Sequence, residues 1–201
     1  MRHSLLSLQH MIEHTPEPIE LRKARVTINE ARPEDVSAIA EVRKVTWLAT
    51  YPNEEFGVTE QAILSMVDNP QTLHQLQTEI EKNSDDVHTW VAKDGEQVVG
   101  ICYALREADK DGQRMENLER LYILPEYQSL EIGKKLLDRC IEWFGPDTKV
   151  HLGVATYNKG AIRFYERNGF EIVSEYNMDL PDGTPLPTFD MALKSSGEEK
   201  V

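Results

Sequence analysis

The stretch Leu121-Tyr122-Ile123-Leu124-Pro125-Glu126-Tyr127-Gln128-Ser129-Leu130-Glu131-Ile132-Gly133-Lys134-Lys135-Leu136-Leu137 decides the fold. It begins as an apolar strand, is stopped at Pro125, turns through a short polar segment and resumes as a helix with Gly133 near its N-terminus. The first N–H groups of such a helix lack intrahelical acceptors. With the helix dipole behind them they form a site for a phosphate or pyrophosphate, and Lys134 and Lys135 add positive charge nearby. Taken alone, one glycine in a strand-turn-helix fits an ordinary β-α connection equally well.

Downstream, the same helix runs to about residue 144, with Ile132, Leu136, Leu137, Cys140, Ile141 and Phe144 on one face. Gly145-Pro146 stops it. Residues 150–155 read as a strand. A helix capped by Asn158 follows and ends at Gly169. Phe164 and Tyr165 lie about two turns into it, where they suit either the core or a phenol facing the gap between the two strands. Residues 170–178 and 188–193 form the last strands, separated by Pro181-Asp182-Gly183-Thr184-Pro185.

Upstream, residues 88–92 and 97–105 pair through Lys93-Asp94-Gly95-Glu96, because Asp-Gly between β-rich runs is a hairpin signal. Residues 107–114 are a charged loop, and 117–124 a strand. Nearer the start, residues 26–29 are a strand and Arg32-Pro33-Glu34-Asp35 begins a helix carrying Ile39, Val42, Thr46 and Trp47. A second helix follows Thr59 with Ile63, Met66 and Val67 inward. After Asn69-Pro70 a third is marked by Leu73, Leu76 and Ile80. Residues 25–194 form one domain, preceded by an extension, 1–24, in which Leu5, Leu6, Leu8 and Met11 fit a short helical face, and followed by a polar tail, 195–201. Antiparallel hairpins ahead of a β-α-β unit predict an α/β (α+β) fold with a mixed sheet flanked by helices.

The composition narrows the function. Of 201 residues, 40% are hydrophobic and 28% charged, the balance of a globular domain. The formal charge of −13 disfavours nucleic acid as a partner; it suits a cationic acceptor and, equally, simple solubility. No apolar run approaches the roughly 20 residues of a membrane helix, and the start is too short an apolar stretch for a secretory signal, so a cytoplasmic protein without membrane contact is expected. Cys102 and Cys140 lack metal or disulfide spacing, and the six histidines include no HExxH, so no metal is expected.

The two β-α segments together resemble the GNAT superfamily of N-acetyltransferases. Its Q/R-x-x-G-x-G/A motif maps onto residues 128–133, and its N-x-x-A-x-x-F-Y-x-x-x-G-F signature onto Asn158, Ala161, Phe164, Tyr165, Gly169 and Phe170, the likeness spanning about residues 25–193. The resemblance implies a sheet of about seven strands splayed at the cofactor site, and acetyl-CoA as cofactor. Gln128, Ser129, Leu130, Glu131, Ile132, Gly133 and Lys134 would surround its diphosphate, with Leu121 and Ile123 along its pantetheine arm and Asn158 and Phe164 beside it. It further implies direct acetyl transfer to a primary amine, small-molecule or peptide, in a ternary complex, with Tyr165 protonating the departing thiolate. Glu119, on the strand before the turn, is the candidate base, against a solvated or salt-bridged carboxylate. Trp47 and Tyr51, one helical turn apart, fit either an acceptor cavity or shared core packing. The Pro-rich final loop, 181–187, suits a homodimer contact. One departure stands out: Glu131 replaces the first motif glycine, and a carboxylate there opposes diphosphate binding unless it turns to solvent. That feature favours the alternative of a catalytically weak or inactive acetyl-CoA-binding sensor or interaction module.

Overall fold

The computed structural model describes residues 18–82, 84–108, 112–146 and 148–193. The helical face expected within residues 1–17 and the tail 195–201 lie outside the described residues. The chain enters through helix α1 (Ile19–Arg25) and strand β1 (Val26–Glu30). A 3-10 turn at Pro33–Asp35 leads into α2 (Val36–Thr50), followed by α3 (Glu60–Val67) and α4 (Pro70–Glu81). Strands β2 (Val87–Asp94), β3 (Gln97–Ala108) and β4 (Arg114–Ile123) come next. A second 3-10 turn, Pro125–Tyr127, precedes α5 (Ile132–Phe144). The chain then forms β5 (Val150–Ala155), α6 (Lys159–Arg167), β6 (Phe170–Asp179) and β7 (Pro185–Leu193).

All seven strands join one mixed sheet in the order β1-β2-β3-β4-β5-β7-β6. Every neighbouring pair is antiparallel except β4 and β5, which run parallel. The β2–β3 hairpin closes at Asp94 opposite Gln97, with Gly95 at φ +62°, the left-handed region that the two-residue turn requires. Helices α2 and α5 both pack across β3 and β4, from opposite faces. Covered on both sides, β3 is buried without interruption from Val98 to Ala104, and an apolar run replaces alternation. A second apolar cluster joins Trp47 of α2 and Ala62, Ile63 and Val67 of α3 to Ala155, Leu180 and Leu186. Edge strand β6 is mostly exposed on both faces.

Two local expectations are revised. Leu73 of α4 is 45% exposed; the buried stripe is Thr72, Leu76 and Ile80, four residues apart. Thr72 is tolerated inside because its hydroxyl donates to the Met66 carbonyl at 3.0 Å and its N–H to the Asn69 side chain at 2.9 Å. Residues 19–24 of the expected extension belong to helix α1, which docks beside the turn that follows β4, with Arg22 donating to the Glu126 carbonyl at 2.7 Å.

Helix α6 starts where Asn158 accepts the Ala161 N–H at 3.1 Å, and it ends at Gly169, φ +90°. Asn158→Ala is expected to lower the unfolding free energy by about 1 kcal/mol, read as a reduced midpoint in urea denaturation.

Candidate active site

Strands β4 and β5 are paired only at Glu116↔Val150 and Asn117↔His151. Immediately after that point the register of β4 against β3 jumps, from Ala104↔Leu118 to Tyr103↔Arg120, leaving Glu119 as an extra residue. This is a β-bulge, which bends its strand and raises the local twist. Beyond it the parallel strands part around a cavity of about 560 Å³. Glu119, Leu121 and Ile123 form its β4 wall and Gly153 and Val154 its β5 wall. One end is closed by the turn into α5, the other by Thr50 and Tyr51 of α2, and Phe164 and Tyr165 approach from α6.

The turn into α5 is built for an anion. Ser129 and Glu131 hold φ +67° and +57°, no side chain caps the helix, and its first residues, Ile132, Gly133 and Lys134, line the cleft. Gln128 ties the turn to β4 by donating its side-chain amide to the Ile123 carbonyl at 3.3 Å. At Gly133 an added Cβ would stand 3.5 Å from the Phe164 ring and 3.9 Å from Ile123, so glycine keeps a cradle open that a side chain would fill. Left-handed residues, an uncapped helix start and an empty Cβ position suit a diphosphate. The Glu131 carboxylate, exposed, is ion-paired with Lys23 of α1.

Residues 85–172 match the model of the acetyltransferase (GNAT) domain. Solved structures agree in fold. PaiA N-acetyltransferase from Thermoplasma acidophilum, in complex with coenzyme A, is 25% identical with a TM-score of 0.66, over 84% of this chain and 98% of that one. A GNAT-family acetyltransferase from Streptococcus pneumoniae is 21% identical with a TM-score of 0.64, over 83% and 98%. Arabidopsis thaliana Naa50, bound to the bisubstrate analogue CoA-Ac-MVNAL, is 19% identical with a TM-score of 0.59, over 85% and 99%.

Within this fold, the cavity brings together Leu121, Ile123, Gln128, Ser129, Glu131, Ile132, Gly133, Lys134, Asn158, Phe164, Tyr165, Glu119 and Tyr51, all singled out from the sequence. Two expected residues stand elsewhere. Trp47 is 4% exposed and packs in the core against Tyr51, ring centroids 4.4 Å apart, so shared packing is its role. Leu130 is 2% exposed and anchors the turn in the main core, leaving only its backbone to the cleft. Sequence reading missed Tyr122, Thr46, Thr50, Gly153 and Arg167, which also line the cavity. Tyr122 sits between Leu121 and Ile123 and was detectable by position. Gly153 has a reason visible only in three dimensions: a Cβ there would meet the Tyr176 hydroxyl at 2.7 Å. Among the described residues no group of three or more His, Cys, Asp or Glu is placed to hold a metal ion.

Charge states follow from burial. Glu119 faces cleft water, yet the surrounding protein raises its carboxyl above the ordinary value; Arg120 opposes the rise, and Glu107 and Glu79 add to it. Tyr165 is 8% exposed, and desolvation pushes its phenol far above the ordinary value, with Cys102, Tyr122 and Cys140 around it. Tyr165 is therefore a protonated donor at neutral pH. In the absorbance difference between wild type and Tyr165→Phe, no phenolate band is expected at pH ~10, where a free tyrosine is about half ionised.

Proposed function

We propose that this protein moves the acetyl group of acetyl-CoA to a primary amine by direct transfer in a ternary complex. The observation that carries this reading is the cleft at the β4–β5 split, with Tyr165 and Glu119 both on its walls and the uncapped start of α5 at its end. Coenzyme A complexes among solved GNAT structures support the donor. Peptide-amine acceptors are suggested by the Arabidopsis Naa50 complex and by a similar structure, the ribosomal-protein-S18-alanine N-acetyltransferase of Escherichia coli.

Acetyl-CoA, when bound, supplies an activated thioester and a thiolate leaving group. The turn at residues 128–134 holds the diphosphate through backbone N–H groups. The edge of β4 at residues 121–123, freed from β5, offers backbone hydrogen bonds to the pantetheine arm, and an N–H near Ile123 steadies the thioester oxygen as charge builds on it. The amine is presented from the side of Thr50 and Tyr51, so both reactants share one cavity and much of the entropic barrier is removed. Glu119 accepts one proton from the ammonium, directly or through water, and the amine nitrogen then bonds to the acetyl carbon. As the C–S bond breaks, Tyr165 gives its proton to the sulfur while the second N–H proton of the new amide restores the phenol. A non-catalytic binder is less well supported, because the Glu131 carboxylate is turned to solvent and paired with Lys23.

Thermal-shift titration is the entry experiment: acetyl-CoA and CoA should raise the melting temperature and ATP should not, and no shift with acetyl-CoA would overturn the reading. Amines are then screened for acetyl-dependent thiol release. Tyr165→Phe should lower turnover about 10²-fold or more while CoA still binds, and undiminished turnover removes the role. Because the Glu119 carboxyl is raised, it is a base only above that raised pKa. The rate should climb with pH through a limb above the ordinary carboxylate range, and Glu119→Gln should abolish that limb; a retained limb assigns the base elsewhere.

A further inference from the structure

Helix α1 lies outside the residues that match the GNAT domain, yet its cations converge on the turn that opens α5. Arg22 donates to the Glu126 carbonyl at 2.7 Å and stacks its guanidinium 5.0 Å from the Tyr127 ring centroid. Arg25 grips Asp94 through two hydrogen bonds of 2.7 and 2.9 Å, and the Tyr127 hydroxyl donates to the same carboxylate at 3.1 Å. These contacts fix the helix against the turn from two sides. Lys23, between them, forms the ion pair with Glu131. Glu131 is the residue whose left-handed backbone starts α5, and it lines the cavity at the turn proposed to hold the diphosphate.

We infer that Lys23 is a positioning residue for the diphosphate site: it cancels the Glu131 charge at the turn and keeps the carboxylate turned away from the cleft. This rests on the acetyl-CoA reading above. The pair is mutual, for the hydrogen bond from Lys23 holds the Glu131 carboxyl below its ordinary range and the same bond raises the Lys23 ammonium. Without Lys23 the turn keeps its N–H groups, and the Glu131 charge loses its direct partner, leaving the more distant Lys135 to offset it against an incoming polyanion. Lys135 of α5 also acts on Glu131 through space, but the direct ion pair comes from Lys23 of α1. Lys134, the cation next on α5, is itself engaged with Asp138.

The test is a double-mutant cycle on the full chain, with CoA affinity measured by calorimetry for wild type, Lys23→Ala, Glu131→Gln and the double variant, and melting temperature recorded for each without ligand. Lys23→Ala should weaken CoA binding on the order of threefold to tenfold, the effect of one nearby charge at a solvent-facing site. In the Glu131→Gln background the same substitution should cost less than about twofold, and unliganded melting temperatures should change little. An equal loss in both backgrounds overturns charge cancellation and makes Lys23 a direct phosphate contact. Wild-type binding retained at full strength in Lys23→Ala overturns the inference alone. Absence of CoA binding by wild type overturns the acetyl-CoA reading, and this inference falls with it.

Discussion

Strand β4 pairs with β3 along its length but with β5 at only two residue pairs, and the cause of that asymmetry is the extra residue Glu119. An internal strand whose backbone lacks a neighbour carries polar groups that a folded protein normally satisfies. The fold tolerates this because the gap is a wetted cavity, and a ligand with amide groups can occupy it. Everything placed for chemistry is referred to this split. The turn at 128–134 follows directly from the freed end of β4, and α6 follows directly from the freed end of β5. The bulge also puts Glu119 itself at the mouth, so one backbone irregularity both opens the site and supplies an acid at its edge.

The walls of the split are rich in phenols held protonated. Tyr51, Tyr122 and Tyr165 are each raised mainly by burial, and each lies within electrostatic reach of another. Beneath the side of α2, two guanidiniums share little negative charge. Arg120 makes bonds of 2.5 and 3.0 Å to Glu79, while Arg43 is buried with its Nε unpartnered. Burial first, then Arg120, weakens the Arg43 hold on its proton. The Arg43 guanidinium lies 5.7 Å from the Trp47 ring centroid, which, with the charge of Glu79, helps a cation persist there.

Much of this was legible in the sequence because the decisive signals were local. Asn158 caps α6, Gly169 ends it, Asp94-Gly95 turns the hairpin and Pro125 ends β4, each readable from residues a few positions apart. The failures share a cause. Trp47 and Tyr51 are equivalent by helical spacing, and only the position of Tyr122 and the second apolar cluster sends one ring into the core and leaves the other at the cavity. Leu73 and Thr72 differ by one position, so preferring the leucine overlooked that a threonine can bury its hydroxyl against a carbonyl. The bulge at Glu119 has no local signature, because it is defined by the register of a partner strand. The Lys23–Glu131 pair joins residues 108 positions apart, a distance no spacing rule reaches.

That pair also bears on how an acidic chain holds a polyanion. With a formal charge of −13, the long-range field opposes a ligand carrying phosphates. Over distances beyond the Debye length, about 8 Å at physiological salt, that field is largely screened, so the potential at the diphosphate turn is set by what stands within one or two side chains of it. There α1 packs its cations beside the turn, with Arg22 donating to the Glu126 carbonyl, Lys23 paired with Glu131 and Arg25 with Asp94. The backbone N–H groups of α5 alone would face the Glu131 carboxylate at close range. A segment before the first strand of the sheet therefore does what the motif glycine does by absence, and the departure at Glu131 becomes compatible with an anion site.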